Sequence, residues 1–202
     1  QWLFDDLGDT INAESQEHFR LMRVRIGRME NLLDGLLAYA RAGRVEGTPE
    51  AVDLKELVTE IFDLCHKHEQ FDLRLEGDFP VVQVAKSPLA MVFRNLIGNA
   101  IKHHDQAHGV ITVSIKALGQ HLEIVVADDG PGIPTEHVTR AFDMFQTLRP
   151  RDEVEGSGIG LAIVKKSLEA MGSSIALTPN APRGARFSFS WPIANLQEPA
   201  DG

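Results

Sequence analysis

Asn95 and Asn99 lie four apart and are followed three residues on by Lys102, within Asn95-Leu-Ile-Gly-Asn99-Ala-Ile-Lys102. On a helix that spacing puts two amides and an ammonium on one face. Amide oxygens are hard donors that suit Mg²⁺, which keeps waters and takes phosphate oxygens as its other ligands. Lys102 then neutralises phosphate. A polar helix face is the plainer reading. Asparagine is, however, a poor helix former, and two of them among Leu96, Ile97, Ala100 and Ile101 call for a reason.

Asp128-Asp-Gly-Pro-Gly-Ile133 comes next. A carboxylate at Asp128 can accept a hydrogen bond from an exocyclic amine, as on adenine. Gly130 and Gly132 let backbone approach a flat ring closely. The same residues are also ordinary turn chemistry. Further on, Gly156-Ser-Gly-Ile-Gly-Leu161 precedes an apolar helix. Backbone N–H groups at a helix N-terminus form an anion site, and glycines keep side chains out of the way. A flexible glycine hinge is the alternative. The segment is not a P-loop, because Lys165-Lys166-Ser167 lies too far along the helix and no glycine precedes it. Nor is it Gly-x-Gly-x-x-Gly.

The elements that must carry these segments follow from periodicity. Residues 5–42 contain no proline and read as a long helix. Phe19, Met22, Ile26, Met29, Leu33, Leu36 and Ala40 alternate by three and four, the seam of helices that cross at a shallow angle. A seam this narrow calls for a partner helix, favoured here in a second molecule over packing on the chain's own domain. Before Phe19 the register changes, with Leu3, Phe4, Leu7 and Ile11 out of phase. Gly43–Ala51 reads as a linker. Asp53-Leu-Lys-Glu56 starts a helix with an acid at the N-cap, running to about His68. Strands are expected at Asp72–Leu75 and Val81–Val84, and a helix opens at Ser87-Pro88. Val110–Leu118 and His121–Ala127 alternate around Gly119-Gln120 as a hairpin. A short helix follows Pro134, and an irregular stretch spans roughly 146–155. A helix from about Ile159 to Met171 and strands at Ile175–Thr178 and Ala185–Trp191 complete the chain. The fold class is an α/β two-layer sandwich, a mixed sheet with helices on one face, preceded by the long helix. The division is 1–46 helical, 47–194 globular and 195–202 a tail.

With 202 residues, 43% hydrophobic and 24% charged, the chain suits one globular domain with an appendage. A net charge of −9 argues against a nucleic-acid partner but not against an anionic nucleotide held by local dipoles. Cys65 stands alone, so no internal disulfide forms, and it reads as a small buried hydrophobe. No apolar run reaches a membrane span of roughly 18–20 residues. His103, His104 and His108 have no spacing that fits a zinc site, though His103, beside Lys102, lines the expected nucleotide pocket.

Asn95–Lys102, Asp128–Ile133, Phe142-x-x-Phe145 and Gly156–Leu161, in this order, closely resemble the asparagine box, first glycine box, phenylalanine box and second glycine box of sensor histidine kinases. The resemblance covers about residues 53–192. It implies a Bergerat-type ATP-binding domain, the type shared with type II topoisomerases, mismatch-repair ATPases and a large chaperone. Asp128 would read adenine, with Gly130, Gly132 and Ile133 beside it. Asn99 would bind Mg²⁺, and Asn95 and Lys102 would face the phosphates. Gly156, Ser157, Gly158, Ile159, Gly160 and Leu161 would cap the triphosphate. Residues about 142–158 would form a mobile lid that includes Arg149 and Arg151, with Phe145 and Leu148 among the ATP-binding residues. Phe142 and Phe145 themselves read as lid-to-core packing. Met29–Arg41 resembles the second helix of the family's dimerisation and phosphoacceptor hairpin, which makes 1–46 a partial hairpin.

One departure stands out. The family's acceptor histidine, with its neighbouring acid and Leu-Arg-x-Pro-Leu run, has no match here. His18 is followed by Phe19-Arg20-Leu21 and lies on the wrong helix. No catalytic residue is therefore assigned. The chain, which begins with Gln1, is expected to be a fragment that binds ATP but cannot phosphorylate itself. The implied partners are a second copy, through the long helix, and the receiver domain of a response regulator in a two-component phosphorelay. The implied location is the cytoplasm, with a parent that could be membrane-tethered upstream. Three rivals use the same pocket. An ATP-driven clamp needs a transducer domain after the last strand. An anti-sigma serine kinase has no long heptad helix. A degenerate kinase would be a dimeric scaffold.

Overall fold

The computed structural model describes residues 12–43, 48–66, 70–146 and 157–194. Helix α1 spans Ala13–Arg41, and Asn12 caps it by accepting the Ser15 N–H at 2.8 Å. Leu3, Phe4, Leu7 and Ile11 lie outside the described residues. Two stripes of α1 behave differently. The seam residues Met22, Ile26, Met29, Leu33 and Leu36 are exposed, Met29 to 63%. A second stripe, Leu32, Ala38 and Tyr39, packs on Ile159 and Ile163 with Ala42 and Met91. The helix thus docks on its own domain through one face and leaves the heptad face uncovered.

Strand β1 (Glu50–Asp53) pairs antiparallel with β3 (Val81–Val84), Val52 opposite Val82. The expected linker therefore ends earlier, because Glu50 and Ala51 already belong to this ladder. Helix α2 (Leu54–Cys65) begins at Asp53, whose Oδ1 accepts from Lys55 N–H and Glu56 N–H. It stops short of the expected His68. The His66 N–H and ring Nδ1 both turn back on the Phe62 carbonyl, at 3.1 and 2.8 Å. Helix α3 is Lys86–Lys102.

The remaining strands are β2 (Gln70–Gly77), β4 (His108–Leu118), β5 (His121–Asp128), β6 (Ile175–Pro179) and β7 (Ala185–Pro192), in the order β2-β4-β5-β7-β6. Only β2 and β4 run parallel, so this sheet is mixed as expected, and the two-stranded β1–β3 sheet stands beside it. The Gly119-Gln120 hairpin pairs Leu118 with His121. Ile111, Val113 and Ile115 of β4, Leu122, Ile124 and Val126 of β5, and Phe187, Phe189 and Trp191 of β7 alternate into one buried face. Helices α2, α3 and α5 (Gly160–Ala170) cover that face with Val58, Phe62, Phe93, Leu96, Ile97, Val164 and Leu168. Each such side chain withdrawn fully from water contributes about 2 kcal/mol. A single turn, α4 (Thr135–Val138), follows Pro134. Cys65 is half-buried beneath Gly98, and burial pushes its thiol pKa up.

Candidate nucleotide-binding site

The site forms where α3, the C-terminal end of β5 and the N-terminus of α5 meet. A cleft of about 280 Å³ is lined there by Asn95, Asn99, Lys102 and His103 from α3 and its end, by Asp128, Gly132 and Ile133 after β5, and by Ser157, Gly158, Gly160 and Leu161 at α5. Three segments far apart in sequence thus share one cavity.

Asp128 ends β5 opposite Ile111 of β4 and beside the first residues of β7. It is 8% exposed, one of two buried polar side chains among the described residues. Its Oδ1 accepts the Gly130 N–H at 2.9 Å and the Ala185 N–H at 3.2 Å, while Asn180 Nδ2 donates to its carbonyl at 2.8 Å. Burial pushes the carboxyl pKa above its ordinary value, and the two backbone donors oppose that shift. The result is a rigid acceptor in a poorly solvated place, suited to a fixed donor on a flat ring.

On α3, Asn95 Nδ2 donates to the Met91 carbonyl at 2.8 Å. That bond fixes the amide's orientation and turns Oδ1 toward α5, where a β-carbon on Gly160 would come within 2.8 Å of it. The same β-carbon would lie 3.7 Å from Asn99 Nδ2. Glycine at 160 therefore allows the two amides to abut the start of α5. That helix end has no side-chain cap, so its first N–H groups are available to an anion from the cleft. Among the described residues no cluster of three His, Cys, Asp or Glu could hold a metal. On α3 the oxygen donors are the Asn95 and Asn99 amides, a set that fits Mg²⁺ shared with phosphate.

Phe145 and Gly158 both have positive φ, 65° and 66°, and the Phe145 N–H donates to the Gly158 carbonyl at 2.9 Å. A β-carbon on Gly158 would press on the Gln146 carbonyl at 2.7 Å.

The other expected site residues divide. Gly130 is buried and acts through its N–H on Asp128. Ile159 is fully buried against α1 rather than facing the cleft. Phe145 is 42% exposed and lies off the cleft lining, and Phe142 meets Phe187 edge-on at 6.5 Å. Leu148, Arg149, Arg151 and Gly156 lie outside the described residues. Sequence reasoning missed Ala100, Ala141, Gln146, Ala185 and Phe187, which also line the cleft, and Asn180 behind it. The signal available for the β7 side was Gly184, placed just before an alternating strand.

The family described as "Histidine kinase-, DNA gyrase B-, and HSP90-like ATPase" matches residues 84–195. This chain belongs to that family, and its ATP-binding domain is of the kind found in sensor histidine kinases. It is 32% identical over 194 residues to cyanobacterial phytochrome B of Nostoc sp., covering 94% of this chain and 26% of that protein. It is 32% identical over 201 residues to Sensor protein RstB of Escherichia coli, covering 93% and 44%. The crystal structure of full-length ShkA in complex with AMPPNP aligns with a TM-score of 0.71 at 25% identity, covering 92% of this chain and 40% of that one. The chain thus spans less than half the length of these relatives.

Proposed function

We propose that this domain binds Mg-ATP with adenine on Asp128 and the triphosphate between α3 and the start of α5. From there it transfers the γ-phosphoryl group to a histidine for relay to an aspartate on a response regulator. The observation that carries the reading is the convergence of Asp128, the Asn95–Asn99–Lys102 face and the uncapped N-terminus of α5 on one cleft. Asn99 would ligate Mg²⁺ through its amide oxygen, with phosphate oxygens and waters completing the shell. When bound, the ion supplies charge neutralisation on the phosphates. Lys102, with its neighbour His103 on the cleft wall, adds positive charge or hydrogen bonds there. In the transfer, a histidine ring nitrogen forms a bond to the γ-phosphorus as the bond to the β–γ bridging oxygen breaks, and ADP leaves. The domain's part is positioning and electrostatics.

His18 lies exposed on α1, whose cleft-side contacts come from Gly35 instead. The acceptor is accordingly assigned to a segment of the parent protein outside this sequence, and the chain alone does not label itself. The uncovered seam of Met22, Ile26, Met29, Leu33 and Leu36 supports a homodimer through α1. Among the described residues no helix is long and apolar enough to cross a membrane.

Calorimetric titration tests the binding step. Mg-ATP should bind the chain at one site, and Asp128→Ala should weaken it at least about tenfold through loss of a charged hydrogen-bond acceptor. Equal affinity in both proteins contradicts the placement of the base.

A further inference from the structure

Around the Asp128 loop, outside the residues that line the cleft, lies a second layer of polar side chains. The His104 imidazole is 2% exposed. Its Nε2 lies 3.2 Å from Asp129 Oδ1, and the Gln106 N–H donates to its Nδ1 at 3.1 Å. Nδ1 also lies 3.2 Å from the Gln106 carbonyl, but an ionised Asp129 carboxylate can only accept, so Nε2 donates to it. The same Asp129 oxygen accepts the Val110 N–H of β4 at 2.7 Å. Phe71 of β2 meets the imidazole edge-on at 5.2 Å. The ring fits only because two glycines make room. A β-carbon on Gly109 would lie 2.7 Å from Nε2, and one on Gly130 would lie 3.1 Å from Cδ2.

Arg183 closes the other side. Its Nε donates to the Gly130 carbonyl at 3.0 Å, and its Nη2 reaches both oxygens of Asp105 at 2.8 and 2.7 Å. One guanidinium therefore ties the first glycine of the loop to the turn after α3. The loop Asp128–Gly130 is gripped at Asp129 by His104 and at Gly130 by Arg183. Gly130 in turn donates to Asp128 Oδ1. Both backbone donors to Asp128 fall on Oδ1, which leaves Oδ2 for a ligand amine.

We propose that His104 and Arg183 are positioning residues that hold the Asp128 carboxylate in the orientation that selects a purine carrying an exocyclic amine. The proposal rests on the reading that Asp128 faces the base. Neither residue lines the cleft. Each acts through backbone or through Asp129, and the predicted effect falls on base discrimination rather than on phosphate binding.

The test compares Mg-ATP with Mg-ITP, which has a carbonyl where ATP has the amine, by calorimetry on the whole chain. The proteins are the unaltered chain, Asp128→Ala, Arg183→Ala, His104→Ala, His104→Gln and the double variant Asp128→Ala/Arg183→Ala. Thermal midpoints are recorded alongside. Arg183→Ala and His104→Ala should each lower the ATP-to-ITP affinity ratio about tenfold, the scale of one hydrogen bond to a charged group, with ITP affinity unchanged. His104→Gln, which keeps an N–H donor, should restore most of the ratio. In the double variant the ratio should equal that of Asp128→Ala alone, because Arg183 works through Asp128. An equal loss of ATP and ITP affinity in Arg183→Ala overturns the proposal and makes the residue a general scaffold. So does a further fall of the ratio in the double variant. Arg183 is partly exposed and its variant keeps the test independent of any folding defect in His104→Ala. A preference for ATP that Asp128→Ala leaves intact, or no preference in the unaltered chain, overturns the base-reading assignment itself and the proposal with it.

Discussion

Gly184 and Asp128 meet backbone to backbone: a β-carbon on Gly184 would overlap the Asp128 carbonyl, and Gly184 has a φ of +115°. The turn before β7 therefore passes flush against the end of β5. That close approach lets Asn180 reach the Asp128 carbonyl and Ala185 N–H reach its carboxylate. Gly184→Ala is expected to cost about 3 kcal/mol from backbone strain and the forced separation of the two strands. Urea denaturation checks the figure, and nucleotide affinity should fall with it because Asp128 loses two of its holders.

Asn99→Ala separates metal-dependent binding from the rest of the site. If the amide oxygen ligates Mg²⁺, the variant should lose about tenfold or more in Mg-ATP affinity and little in metal-free ATP affinity. Titrations with and without Mg²⁺ read this directly. Equal losses under both conditions would place Asn99 on phosphate instead.

Acid sensitivity should report the layer around the Asp128 loop. The Arg183 guanidinium beside Asp105 holds that carboxyl below its ordinary value of 3.8. Burial raises Asp129, but the Val110 N–H and His104 outweigh it and its net shift is downward. Depressed carboxyls contribute stability that is complete above the ordinary value and is lost as pH falls through the folded one. Asp128 runs the other way. Raised by burial, it binds its proton more tightly folded than unfolded, so its contribution declines as pH climbs from 3.8 through the raised value. Urea midpoints measured across acid pH should therefore drop less steeply below 3.8 in Arg183→Ala than in the unaltered chain. Asp128→Asn should remove the opposing decline above it.

Docking of α1 depends on Lys166, whose Nζ donates to the Tyr39 carbonyl at 2.8 Å and sits 4.3 Å from the Tyr39 ring centre. Lys166→Met should weaken the docked state by about 1 kcal/mol while leaving the globular domain folded. Hydrogen exchange should then speed up at the C-terminal end of α1 and stay unchanged in β4 and β5.

Much of this architecture is written locally in the sequence. Asp53 caps α2 through hydrogen bonds to the next turn, and Gly119-Gln120 closes a two-residue hairpin, so short-range chemistry suffices for both. The three cleft segments were legible because asparagines on an apolar helix and glycines at φ-demanding turns stand out as residue types. The missed parts depend on partners distant in the chain. Four residues, Glu50–Asp53, become a strand only by pairing with β3. The heptad seam of α1 hid a second stripe, in which Gly35 gives Ile159 and Ser157 room to approach. Asn180 and Arg183 act on the Asp128 loop from more than fifty positions away, and no periodicity marks them.

Label transfer from γ-³²P Mg-ATP tests phosphoryl transfer to histidine at the step itself. The chain is incubated alone and with the parent protein's upstream helical segment. No label is expected on the chain alone, and acid-labile, base-stable label is expected on the added segment, abolished by Asn99→Ala. Nucleotide bound with no label transferred to that segment would contradict phosphoryl transfer and leave an ATP-binding scaffold.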